Sequence, residues 1–461
     1  MSLRETAGIE RRHGLSGRAR SIMEQVVFLR RGQTDRARTQ RSALLAFLIR
    51  VAGAGLAYVS QALLARWMGS FEYGIFVFVW VWVLILGGLA SMGLSTSVIR
   101  FVPEYRETGR LDLLRGLLRG SRAIAAGVST AIMGCSLALL YGYGHLLEGY
   151  YWLPAFLILF CLPIYTVVDV QDGISRGFSW IDLALGPPYI VRPILLLAAM
   201  FGAALAGFAL TAVTAAVCAV LAYWVSGLFQ IIVLNGRVAR TIEPGERSYD
   251  VPLWLKTSWP LLLVLGFDLL LQNTDILVLS RYMEPSDVAI YFAALKTMGL
   301  VSFVHFAVGT AAANRFSAYK AKGDEDRLAG AVRDAVRWTF WPSFAGAVLL
   351  LALGRPLLWL FGAEFVNGYP VMFVLAVGFL IRAAIGPAEF VLNMLGEQNR
   401  CAAVLSLSAL LNLALNFALI PAYGMYGAAA ATSVSIAVAA IAFLFVARSR
   451  LGLNLFVWQR G

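Results

Sequence analysis

The chain has 461 residues, 60% of them apolar and 14% charged, with a formal net charge of +12. A soluble domain carries about 25% charged residues, so these charges cannot solvate a globular surface of this size, and lipid must cover most of it. Cys135, Cys161, Cys218 and Cys401 stand singly in apolar runs, with no metal or redox spacing, and read as small packing residues.

Residues 1–42 hold ten arginines and four acids and read as a basic cytoplasmic tail. Ile22, Val26 and Leu29 would give a short helix an apolar stripe for the membrane surface, although disorder is the expected state. Apolar runs of about 20 residues then recur, the length that crosses a bilayer core of ~30 Å. They predict spans over 43–67, 75–99, 122–143, 152–170, 187–206 and 208–234, then 257–280, 288–313, 338–358, 370–395, 401–420 and 424–446. A tight turn near Gly202 and Gly207 must separate the fifth from the sixth. The loops 100–121 and 314–337 read as amphipathic helices on the membrane surface, with Leu111, Leu114 and Leu118 as the stripe of the first. A polar linker over 235–256 divides a six-helix lobe at 43–234 from a second at 257–446, and 447–461 is a cytoplasmic tail.

With the N-terminus placed inside, the inner segments hold 32 of the 38 Lys and Arg residues. The outer loops hold three, Arg66, Arg281 and Arg355, an asymmetry that fixes the orientation with both termini cytoplasmic. It also accounts for the net charge, which faces an anionic leaflet, so no nucleic-acid partner is implied. Ala65-Arg66-Trp67-Met68-Gly69 through Ile75 returns 215 residues later as Ser280-Arg281-Tyr282-Met283-Glu284 through Ile290, and Arg100-Phe101 returns as Arg315-Phe316. Six crossings per lobe keep both repeats in one orientation, related by an axis along the membrane normal, with a cleft between them. Arg66 and Arg281 are expected to tie the corners of the lobes, pairing with Glu72 and Asp287.

The first of these stretches, with Gly93-Leu94-Ser95-Thr96-Ser97-Val98-Ile99-Arg100, resembles the polysaccharide transporter (oligosaccharide flippase) family. Asn273-Thr274-Asp275 and the run Asn412 to Pro421, followed by Gly424, Gly427 and Thr432, agree with it. The resemblance implies an all-α polytopic membrane protein of about twelve transmembrane helices, two six-helix lobes around a cationic cavity. It implies a flippase for a polyprenyl-diphosphate-linked oligosaccharide in the bacterial inner membrane, serving lipopolysaccharide or exopolysaccharide assembly. Its partners would be membrane lipids and a polysaccharide polymerase or glycosyltransferases. Unlike the lipid II flippases, this chain has no two extra helices after span twelve.

Charges inside spans are costly and usually face a polar interior. Asp169 and Arg192 fall at span ends, where snorkelling explains them, and Asp275 is expected to bond to a neighbouring helix. Asp268, Lys296 and Arg382 lie near the bilayer midplane, and Arg50 about 10 Å in from its end. Helical spacing gives three stripes: Asp268-Gln272-Asp275, Arg382-Gly386-Glu389-Asn393 and Arg50-Ala54-Ala57-Gln61. Arg50, Lys296 and Arg382 are the candidate ligands of an anionic head group. Asp268 and Glu389 are read as coupling groups or, in preference, as partners in ion pairs with Lys296 and Arg382. His305 is read as a packed or hydrogen-bonded residue. Trp80 and Trp82 are read as packing or lipid-facing, and Tyr150, Tyr151, Trp152 and Trp359 as interface anchors. No nucleotide-cradling Gly-x4-Gly-Lys run and no metal or nucleophile cluster occurs, so no cofactor and no catalytic residue is expected. The competing readings are an ion-coupled exporter of organic cations, a membrane glycosyltransferase and a non-transporting scaffold. The short outer loops speak against the second.

Overall fold

The structure, a computed structural model, describes residues 35–458, with side chains from residue 49 onward. The expected stripe at Ile22, Val26 and Leu29 lies outside the described residues. Among those described there are sixteen α-helices and no strand. In chain order they are α1 (Asp35–Ala90), α2 (Leu94–Glu107), α3 (Leu111–Tyr143), α4 (Gly149–Ile158), α5 (Leu162–Gly177), α6 (Ile181–Gly186), α7 (Arg192–Leu205) and α8 (Ala212–Thr241). There follow α9 (Val251–Tyr282), α10 (Pro285–Gly299), α11 (Ser302–Ala321), α12 (Glu325–Ala352), α13 (Gly354–Trp359), α14 (Tyr369–Ile385), α15 (Ala388–Met394) and α16 (Gln398–Leu451).

Ten helical stretches are long and apolar enough to cross a bilayer. Two are too long for one crossing. Ile49–Ala90 has 42 residues, about 63 Å at 1.5 Å per residue, roughly twice the hydrocarbon thickness. Gly69 breaks α1 with φ 79°, and Gly424 breaks α16 with φ 54°, backbone angles that only glycine adopts freely. Each long stretch is therefore two crossings, and the total is twelve. The turn between the fifth and sixth crossings is at Gly207, with φ 81°; Gly202 lies inside α7 and takes no part in it.

The loops 100–121 and 314–337 differ from expectation. They hold no separate surface helices. Here α2 and α11 run on beyond the predicted spans, turn at Gly109 and Gly323, and continue directly into α3 and α12. Leu114, Leu117 and Leu118 are buried with Phe101, Val102 and Tyr105, and Leu328 and Val332 with Phe316. Amphipathic spacing shows that one helix face must be covered, but not whether lipid or a neighbouring helix covers it.

The ends of the bundle differ. At the end poor in basic residues, helices from the two halves of the chain meet closely. The backbone N–H of Ser70 donates to Glu364 Oε1 at 2.9 Å. Tyr73 is fully buried between Phe292 and Phe365, each at 6.2 Å between ring centres. Gly74 lies so near the Pro285 carbonyl that a Cβ would overlap it. Arg66 does not pair with Glu72. It stacks on Trp359 at 4.6 Å, while Glu72 Oε2 accepts from the N–H of Ala212 at 2.7 Å and so caps α8, where a carboxylate is favoured by the helix dipole. Among the described residues Arg281 forms no salt bridge with Asp287. At the basic end α9 begins against the first half. Ser258 and Ser97 share a hydrogen bond of 2.7 Å, and Trp254 Nε1 donates to Tyr105 OH at 3.1 Å. The segment 242–250 is held along α3, where Arg115 Nε donates to the Glu243 carbonyl at 2.8 Å.

Gly74→Ala is expected to destabilise the protein by roughly 1–3 kcal/mol through overpacking, read as a lower Tm in detergent. Gly134→Ala, where an added Cβ meets open space, should leave the Tm unchanged.

Candidate functional site

Below the closed end lies a cavity of about 430 Å³, within the ~300–1,000 Å³ range of ligand pockets. One wall comes from the two arms of α1, with Ala54, Ala57 and Gln61 before the Gly69 break and Phe76 and Trp80 after it. The rest comes from Asn273 on α9, Phe292 and Lys296 on α10, and Phe303 on α11.

Three of its residues share one depth. Tyr58 lies eleven residues before Gly69, Trp80 eleven after it, and Lys296 eleven after Pro285 at the matching corner. At the helical rise this is about 16 Å from the closed end. Tyr58 OH and Thr297 Oγ1 are 3.0 Å apart in this layer and link α1 to α10. Nearer the closed end, Tyr73 OH donates to Gln61 Oε1 at 2.7 Å. Lys296 is exposed to the cavity, and its Nζ lies 4.9 Å from the centre of the Phe292 ring. Among the described residues no carboxylate forms a salt bridge with it. The expected pairing with Asp268 is not found, because Asp268 Oδ2 accepts from Gln272 Nε2 at 2.7 Å instead.

The structure does not bring the three candidate cations together. Ala54, Ala57 and Gln61 of the predicted Arg50 stripe line the cavity. Arg50 itself lies one turn beyond Ala54 toward the basic end, its guanidinium 4.5 Å from the Phe306 ring centre. Arg382 belongs to a separate, smaller cavity of about 40 Å³ with His305, Gly386 and Glu389. It forms a half-buried ion pair with Glu389 at 2.9 Å. The helix breaks between them at Gly386 (φ 68°) and Pro387, so Arg382, Gly386, Glu389 and Asn393 do not form one continuous helix face. His305 is buried beside Phe390 with neither ring nitrogen bonded, a packed residue only. Asp275 is buried off the cavity and accepts from Tyr291 OH on the neighbouring α10 at 2.6 Å; it therefore leaves the predicted stripe with Asp268.

Arg192 and Asp169 are not snorkelling residues. The helices carrying them extend farther toward the basic end than the apolar runs suggest. Arg192 is eleven residues into a continuous stretch from Ile181 to Leu205 that includes a π-helical turn, Pro187–Val191. Its guanidinium lies 4.2 Å from the Tyr223 ring centre, with Nε and Nη2 buried and unbonded. Beside it Asp172 Oδ1 accepts from Gln230 Nε2 at 2.6 Å. Trp82 faces outward, and Trp80 packs on Phe76 and Tyr223 as expected but also lines the cavity.

Residues 40–319 match the family model described as polysaccharide biosynthesis protein. The chain belongs to that family. Residues 260–418 also match the MatE model. An uncharacterized membrane protein of Methanocaldococcus jannaschii is 23% identical over 399 residues, covering 82% of this chain and 78% of that protein. Among solved structures, lipid II flippase MurJ in an inward closed conformation aligns with a TM-score of 0.70 at 15% identity, over 88% of this chain and 87% of that one. An inward-facing multidrug resistance MATE family transporter of the MOP superfamily aligns at 0.69 and 16% identity, over 88% and 94%. A MOP superfamily transporter from Pyrococcus furiosus aligns at 0.65 and 17%, over 92% and 98%. These identities establish a shared fold: an all-helical, multi-pass membrane protein of the MATE and MurJ type.

The Arg382–Glu389 pair predicts a coupling of roughly 1–2 kcal/mol in a double-mutant cycle with Arg382→Met and Glu389→Gln, measured by thermal unfolding. Each single change should destabilise, because it leaves a half-buried partner uncompensated, and the double change should cost less than the sum.

Proposed function

We propose that the protein moves a polyprenyl-diphosphate-linked oligosaccharide across the bacterial inner membrane by alternating access, for assembly of a surface polysaccharide such as lipopolysaccharide or exopolysaccharide. The observation that carries this reading is Lys296. It is a cation without an ion-pair partner among the described residues, and it stands in a cavity built by helices from both halves of the chain. An isolated ammonium at this depth is expensive unless water or an anion meets it. A diphosphate crossing the same low-dielectric region has the complementary problem, and a charge-assisted contact offsets both costs.

In this reading Lys296 holds the diphosphate while Arg50, about 12 Å nearer the basic end, meets it on entry. Arg382 has a lesser part, because Glu389 already neutralises it; with Asp268 unpaired by any cation among the described residues, these carboxylates serve structure more than coupling. The lobes 43–234 and 257–446 rock about the closed contacts at Gly74 and Pro285, the cavity opens alternately to each side, and the prenyl tail stays among membrane lipids. Both termini face the cytoplasm in this reading, which the distribution of basic residues supports. A polysaccharide polymerase or glycosyltransferases would act on either side of the step. An exporter of organic cations on this fold would need a carboxylate in the cavity, and among the described residues none lines it.

Lys296→Ala should reduce surface polysaccharide, or transport in vesicles, by roughly ten- to a hundredfold at unchanged protein level, the worth of one hydrogen bond to a charged group. Lys296→Arg should keep most of the activity. Full activity in Lys296→Ala would exclude the proposed role.

A further inference from the structure

We infer that Trp80 is the platform of a sugar subsite, on which the sugar bonded directly to the diphosphate stacks while Lys296 holds the phosphate. This rests on the flippase reading and adds to it the position and the chemical class of the first sugar.

The cavity has three kinds of surface. Lys296 supplies one cation. Tyr58, Gln61 and Asn273 supply neutral hydrogen-bonding groups. Trp80, half-buried on the wall, supplies a broad aromatic surface at the depth of Lys296. A phosphate alone would use only the first. A prenyl chain would use the aromatic wall but leave the amides unmatched. A pyranose uses all of the remainder, because its C–H face meets the negative face of an aromatic ring and its hydroxyls meet the amides and the phenol. Among the described residues the lining holds no carboxylate and no second cation, so the sugar is a neutral one, such as a hexose or an N-acetylhexosamine. The cavity is in the lower part of the usual ligand-pocket range. It takes the carrier-proximal part of the head group rather than a long glycan.

Trp80 is also held in place. Its ring lies 5.0 Å from Tyr223 and 6.1 Å from Phe76 between centres. Tyr223 in turn carries the Arg192 guanidinium, at 4.2 Å, and packs on Tyr165 at 5.8 Å. A platform held by packed neighbours loses little freedom when a ligand stacks on it. This gives Arg192 and the buried Tyr223, neither of which lines the cavity, a positioning role.

The test compares binding of two probes to the full chain in nanodiscs: polyprenyl diphosphate, and the same lipid bearing one N-acetylglucosamine. Trp80→Leu should weaken binding of the sugar-bearing lipid roughly three- to tenfold and leave the bare diphosphate unchanged, whereas Lys296→Ala should weaken both. If Trp80→Leu does not fold, Gln61→Ala carries the same expectation of a loss confined to the sugar-bearing lipid. Equal weakening of both lipids, or of neither, in the folded variant would overturn the subsite and leave the flippase reading standing. Failure of the wild type to bind either lipid would overturn both.

Discussion

A charge placed near the middle of a bilayer sets the terms for the structure around it. Lys296 lies about 16 Å in from the closed end, and among the described residues no acid forms a salt bridge with it. A polar group in hydrocarbon costs far more than one in water. The fold meets that constraint by placing Lys296 on the wall of a cavity lined by α1, α9 and α10, so that it opens onto the cavity and not onto lipid. Arg382, at a comparable depth, meets the same constraint by pairing with Glu389 across the Gly386 break. Two cations with the same problem have received two solutions, and only one leaves a charge available to a ligand.

The cavity depends on where the helices are allowed to touch. At the end poor in basic residues, Gly74 and Tyr73 bring the second arm of α1 against α10 and the 3-10 turn Ala363–Gly368, and this contact closes the cavity. The aromatic rings there also take the arginines: Arg66 on Trp359 and Arg355 on Tyr369, at 4.6 and 5.3 Å. Such stacking keeps the few cations of this end out of the cavity and packed against apolar neighbours. The repeated stretch at Arg66 and Arg281 therefore belongs to the closure rather than to ligand binding.

Much of the fold was legible in the chain. Twelve crossings follow from run length, and Gly69 and Gly207 were visible as polar or glycine punctuation. The stripe Ala54, Ala57 and Gln61 was visible too, because one helix carries it and helical spacing fixes one face. Less legible was anything that depends on how helices are rotated against one another. Spacing could not say that Arg382 would find Glu389 across a broken helix, or that Asp268 would turn to Gln272 and away from Lys296. Arg192 and Asp169 were misplaced because apolar runs end where polar residues begin, while the helices run on; burial within the first half then covers residues that composition assigns to an edge. Nor does the sequence show that Trp80 lines a cavity, because a lone aromatic in an apolar run looks the same whether lipid, core or cavity covers it.

The central claim is that the anion of a polyprenyl diphosphate meets Lys296 inside this cavity. The most direct measurement is an experimental structure of the full chain in nanodiscs with polyprenyl diphosphate bound. Phosphate density is expected within hydrogen-bonding distance of Lys296 Nζ, between α1 and α10, with the prenyl chain leaving toward the bilayer. Phosphate density at the Arg382–Glu389 site, with the Lys296 cavity occupied by water alone, would contradict it.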